Sequence, residues 1–84
     1  MRVNELCNVA ECFSERLKML KRERGLSNPQ LSRDSGLSKT TVDNWDKGTI
    51  IPNAYSLAVL CVFFDVSADW LLGLSDVREI KKNE

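Results

Sequence analysis

The chain has 84 residues, 43% of them apolar and 29% charged, with 12 Lys and Arg against 12 Asp and Glu and no His. That composition is neither disordered nor fibrous, and a chain this short supports one small core, so a single domain is expected. Without histidine the commonest general base near neutral pH is missing, no nucleophile has an evident activating partner and no glycine-rich phosphate loop is present; an enzyme is not expected and no cofactor is implied.

Few β-branched residues, abundant Leu, Lys, Arg, Glu and Ser, and two prolines near loop positions favour an all-α fold. Charge is spread unevenly: residues 1–11 hold one base against two acids, residues 12–48 eight against five, and residues 49–84 three against five. A polyanion would therefore bind the middle of the chain.

Residues 1–11 read as an N-terminal extension. With three cysteines, no histidine and no C-x-x-C spacing, zinc ligation has little support and no metal site is assigned. Cys7 and Cys12 are read as incidental reduced thiols, with a redox switch as the alternative, and neither is given a role. From Phe13 an amphipathic helix runs to Gly25, with Phe13, Leu17 and Leu20 at helical spacing and Arg16, Lys18, Lys21, Arg22, Glu23 and Arg24 on the other faces.

Then one device occurs twice, as Gly25-Leu26-Ser27 and, eleven residues on, as Gly36-Leu37-Ser38. Each glycine suits the left-handed conformation that ends a helix, and each serine is a good N-cap for the next. Leu26 with Leu31, and Leu37 with Val42, occupy hydrophobic-staple positions, Ser27 with Gln30 matches a capping box, and Pro29 falls in a first turn, where its missing N–H costs nothing. The pattern predicts a second helix over Asn28–Ser35 and a third from Lys39 to Lys47, ended by Gly48: a helix-turn-helix. Val42 and Trp45 are three apart and face inward, which leaves Lys39, Thr40, Asp43, Asn44 and Lys47 outward.

Gly48 to Pro52 reads as a loop. Asn53 caps a fourth helix to Phe64, with Leu57, Leu60, Cys61 and Phe64 on one face, so Cys61 packs as a small hydrophobe. The apolar run there, Leu57 to Phe64, has eight residues, against the roughly 18 needed to cross a bilayer. The start of the chain lacks a signal-peptide core, and a cytoplasmic location with no membrane partner is expected. Ser67 caps a short fifth helix that ends before Gly73, with Asp69 in its first turn and Trp70 inward. Residues 76–84 form a polar C-terminal tail, expected to fray.

Residues 12–75 thus form the domain. They resemble the Cro/C1-type helix-turn-helix family, the xenobiotic-response-element family of phage repressors and small bacterial regulators. The marks are Arg16-Leu17-Lys18-Met19-Leu20-Lys21, the two Gly-Leu-Ser steps, Val42-Asp43-Asn44-Trp45-Asp46-Lys47-Gly48, Pro52, and Phe64-Asp65-Val66-Ser67-Ala68-Asp69-Trp70-Leu71-Leu72-Gly73. Each is weak singly; in this order and spacing they are specific.

The resemblance implies a compact five-helix, lambda-repressor-like domain that binds a double-stranded DNA operator, usually as a homodimer, with the third helix in the major groove. It implies a sequence-specific transcriptional regulator, a repressor, on an inverted repeat. By position Lys39, Thr40, Asp43 and Asn44 match base-reading sites, and Ser27, Asn28, Thr41, Lys47 and Thr49 match phosphate sites. Asn28 stands where the family commonly has glutamine, one methylene longer. Thr49-Ile50-Ile51 replace the basic residues that relatives often carry in this loop, so modest affinity and a shallow salt slope are expected. Asp46 matches an acidic position that often pairs with a base of the first helix, here Lys21. The dimer surface is expected on the fifth helix and beyond Gly73, with Ile80 as an apolar contact, and no separate effector domain is foreseen. The alternative reading is a protein-binding module of the same fold, such as an antitoxin bound to its toxin, favoured by zero net charge and by Ile50-Ile51.

Overall fold

Ser27, Ser38, Asn53 and Ser67 each precede a helix, and each side chain accepts the main-chain N–H three residues on, at 3.3, 3.2, 2.8 and 3.0 Å. These four local bonds satisfy donors that the first helical turn would leave unpaired, and they set where the elements begin. The computed structural model describes residues 9–80, which form α1 (Val9–Arg24), α2 (Asn28–Ser35), α3 (Lys39–Trp45), α4 (Ala54–Phe64) and α5 (Ala68–Leu71), with no strand. At Ser27 the capping box is complete, because the main-chain N–H of Ser27 donates back to Gln30 Oε1 at 2.9 Å. Gly36 ends α2 at φ 82°, and its N–H closes on Ser32 O. None of the described helices is long and apolar enough to cross a membrane.

α2 and α3 pack closely on each other, α1 lies against α5, and α4 touches both α5 and α2. The core between them holds Phe13, Leu17 and Leu20 from α1, Leu31 from α2, Val42 and Trp45 from α3, Leu60 and Phe64 from α4, and Val66, Trp70 and Leu71 around α5, all buried. Leu26, Leu57 and Cys61 pack against it, and burial pushes the Cys61 thiol pKa up, in keeping with its reading as a small hydrophobe.

The structure departs from the sequence expectations in three places. α1 already begins at Val9, inside the stretch read as an extension; Cys7 lies outside the described residues. α3 ends at Trp45, two residues early, because Asp46, Lys47 and Gly48 turn their N–H groups to the carbonyls three residues back, at 3.2, 3.3 and 3.3 Å. α4 does end at Phe64 as expected, and it closes on Asp65 at φ 56°, a left-handed conformation that a short polar side chain tolerates in place of the usual glycine.

Residues 76–80, finally, return to the domain instead of fraying. Ser67 donates its N–H to Arg78 O at 2.9 Å and its hydroxyl to Val77 O at 3.1 Å. The Arg78 guanidinium lies 5.1 Å from the Trp70 ring centroid and donates to both Glu23 oxygens. Its hydrogen bonds hold the Glu23 carboxyl below the ordinary range. Arg16 lies over the same indole at 4.9 Å and donates to Ser75 O at 2.9 Å, so cations from near both ends of the domain meet on one ring.

Gly73 closes this region. Its φ is +82°, and a Cβ there would lie 2.7 Å from Cys12 Cβ, whereas a Cβ on Gly36, at the same φ, meets nothing within 4 Å. Gly73→Ala is therefore expected to cost about 2 kcal/mol, from backbone strain and overpacking together. Gly36→Ala should cost only the backbone part, and paired thermal melts read the difference; equal losses would mean that the contact with Cys12 yields freely.

Candidate functional site

Two inward residues fix the attitude of α3. Val42 is fully buried and Trp45 is 1% exposed, its ring edge-on to Phe13 at 5.4 Å between centroids. A helix anchored on those positions must turn its remaining faces outward: Lys39, Thr40 and, just beyond the helix, Lys47 and Thr49 are exposed, while Asp43 and Asn44 are half-buried along the edges. No hydrogen bond joins the side chain of Thr40 or Asn44 to another described residue, so both present free polar groups. Lys39 donates to Asp43 Oδ2 at 2.8 Å across one helical turn, an exposed pair worth a few tenths of a kcal/mol.

Beside this face stands the first turn of α2. Ser27 is exposed, but its hydroxyl oxygen caps the Gln30 N–H. Thr41, half-buried, accepts a hydrogen bond from the Ser38 hydroxyl at 2.6 Å. Asn28 is wholly engaged inside the domain. Its Oδ1 accepts from Lys21 Nζ at 2.6 Å, and its Nδ2 donates to Asp46 Oδ2 at 2.7 Å and to Asp43 Oδ1 at 2.9 Å. What Asn28 leaves for an outside anion is main chain.

The Lys21–Asp46 pair expected between the first and third helices is present at 2.9 Å, with the Lys21 side chain 10% exposed and that of Asp46 35%. Burial pushes the Asp46 carboxyl up, but hydrogen bonds from Asn28 and Lys21 and the Lys21 charge outweigh it and hold the group below its ordinary value. Asp43 is held low as well, chiefly by its hydrogen bonds from Lys39 and Asn28.

All nine sequence-nominated residues thus lie on α3, the turn after it or the start of α2, and there Asn28 joins Asp43 and Asp46 to Lys21 of α1, while Lys39 holds the other oxygen of Asp43. That junction was not foreseen. The Lys39–Asp43 spacing alone carried a signal, since residues four apart on a helix are neighbours; the reach of Asn28 from α2 to both aspartates depends on how the helices cross.

Comparison with known proteins places the chain among helix-turn-helix proteins. A family described as a helix-turn-helix domain matches residues 14–77. Over 72 residues, 86% of this chain and 35% of the relative, it is 31% identical to the HTH-type transcriptional activator BcrR of Enterococcus faecalis. Over 64 residues, 76% of this chain and 57% of the relative, it is 30% identical to the uncharacterized HTH-type transcriptional regulator YobD of Bacillus subtilis (strain 168). The chain therefore spans about a third of the first relative's length and somewhat over half of the second's. No solved structure matches it.

Proposed function

Because the chain belongs to the helix-turn-helix domain family, we propose that it is a transcriptional regulator of the Cro/C1 type that binds double-stranded DNA, with α3 in the major groove. The observation that carries this reading is the attitude of α3: Val42 and Trp45 are buried, and a short polar face is left to the outside. In this reading Lys39, Thr40, Asp43 and Asn44 meet base edges, whose donors and acceptors their groups complement. Ser27, Thr41, Lys47 and Thr49 meet phosphates, together with the main chain of Asn28 at the start of α2.

A single module of this size contacts too few base pairs to specify a genomic site, so we propose a homodimer on an inverted repeat, its half-sites about 34 Å apart or a multiple of it. Exposed Leu74, Val77 and Ile80 beside α5 supply apolar surface for pairing. Repression is the proposed outcome, since a domain seated on an operator excludes other proteins from that DNA without a further contact, and a cytoplasmic location goes with that role. BcrR is named an activator. The protein-binding alternative draws on apolar surface away from α3: Ile51, Tyr55 and Val62 are 55%, 73% and 80% exposed.

Two substitutions test the assignment of roles. Lys39→Ala should lose about 1–3 kcal/mol on the preferred duplex and relax the base preference at one position. Lys47→Ala should weaken all sequences alike and reduce the salt slope by about one. Equal losses from both on preferred and random DNA, measured by titration at several salt concentrations, would contradict these roles.

A further inference from the structure

Asn28 stands where α1, α2 and α3 meet, and its amide has no capacity left on nitrogen: the two Nδ2 hydrogens go to Asp43 Oδ1 and Asp46 Oδ2. Its oxygen takes the ammonium of Lys21, which is buried at 8% exposure. The other oxygen of Asp43 takes Lys39 Nζ at 2.8 Å. The exposed ammonium of Lys39 is thus tied through one carboxylate and one amide to a buried ammonium in α1. The four charged groups of the chain cancel, so it carries no net attraction for phosphate.

Resting on the DNA-binding reading above, we propose that Lys39 and Asp43 act as a single base-reading unit, positioned by Asn28, that selects a G·C pair in the major groove. An ammonium has three hydrogens. One is held by Asp43, and two remain for neighbouring acceptors on one base. Guanine offers such a pair, N7 and O6, and the cytosine opposite offers its N4 amino hydrogen next to O6, where a carboxylate accepts it. An A·T pair separates its two acceptors by the adenine amino group, so the same unit satisfies fewer of its groups there. Asp43 also repels the backbone, which keeps Lys39 from serving as a general phosphate contact. Asn28 is a positioning residue in this scheme: it fixes the carboxylate from which the lysine is hung.

The test is the base preference of the full chain, measured by selection from a randomised duplex pool at fixed salt. It compares the unaltered protein with Asn28→Ala, Asp43→Ala, Lys39→Ala and the double variant Asn28→Ala/Lys39→Ala, with a melting curve for each. We expect a G·C preference at one position of the site, which Asn28→Ala and Asp43→Ala each reduce about tenfold while the other positions hold. In the Lys39→Ala background, Asn28→Ala should change the preference at that position less than it does in the unaltered protein, since only the cytosine contact of Asp43 is left to lose, although it still lowers the melting temperature. A purely structural Asn28 would shift the melt and leave the base preference intact, and that result overturns the proposal. If Asn28→Ala does not fold, Asp43→Ala, altered at a partly exposed side chain, decides alone: an unchanged G·C preference overturns it. Failure of the unaltered protein to enrich any sequence would instead remove the DNA-binding reading itself, an outcome distinct from a clear motif that is indifferent to Asn28 and Asp43.

Discussion

Replacing Trp45 by alanine is expected to cost about 3–5 kcal/mol, the range for removing a fully buried aromatic side chain from a close-packed core. Trp45 is 1% exposed and meets the Phe13 ring edge-on, and it is one of two residues that anchor α3. A domain of this length has a total stability of roughly 4–12 kcal/mol, so the variant should give up a large share of it and lose its melting transition or shift it down by more than about 10 °C. Trp45→Phe keeps an aromatic ring in the site and should retain a cooperative transition. Thermal unfolding followed by circular dichroism distinguishes the two; an alanine variant melting within a few degrees of the unaltered protein would mean that α3 is held by something other than this contact.

Asp46→Ala is expected to cost about 3 kcal/mol. Breaking a buried ion pair by removing one partner typically costs 3–5 kcal/mol, because the other charge is left stranded. The lower end applies here, since the Asp46 side chain is 35% exposed and Lys21 keeps Asn28 as an acceptor. Replacing both partners by apolar residues, Lys21→Met with Asp46→Leu, should recover most of the loss, as the stranded ammonium is gone. The sign of the pH effect follows from the lowered carboxyl. Its contribution is complete above the ordinary aspartate range and is lost as the pH falls through the lower native value. Denaturant titrations should therefore show the gap between the unaltered protein and Asp46→Ala closing toward acid pH. A gap that is constant from neutral to strongly acid pH would mean that Asp46 stabilises α3 by packing and not by charge.

The starts of the later four helices are legible in the chain. The four N-caps, the capping box of Ser27 with Gln30 and the turn at Gly36 appear where the sequence puts them, because each involves residues within a few positions of one another. The inward pair Val42 and Trp45 was legible from helical period alone, and with it the outward face of α3. The Lys21–Asp46 pair came from the family resemblance and is present at 2.9 Å.

Features that depend on several elements at once were not legible. The family resemblance implies a phosphate contact for Asn28; its engagement with two aspartates appears only when α1, α2 and α3 are packed together. Polar composition likewise argues that residues 76–84 should fray, of which 81–84 lie outside the described residues, and no short-range signal announces that Arg78 finds Glu23, 55 residues back, beside the Trp70 ring. The early end of α3 escaped for a different reason. Asp46 and Lys47 are compatible with a helix, and it is the tightening of the last hydrogen bonds that ends it.

If the outward face of α3 reads DNA sequence, the purified protein selects particular duplexes from a randomised pool at moderate salt with competitor DNA. The enriched duplexes should share an inverted repeat whose half-site spacing matches a two-fold dimer. Recovery of no motif, with the protein folded and in excess, would contradict sequence reading by α3 and turn attention to a protein partner.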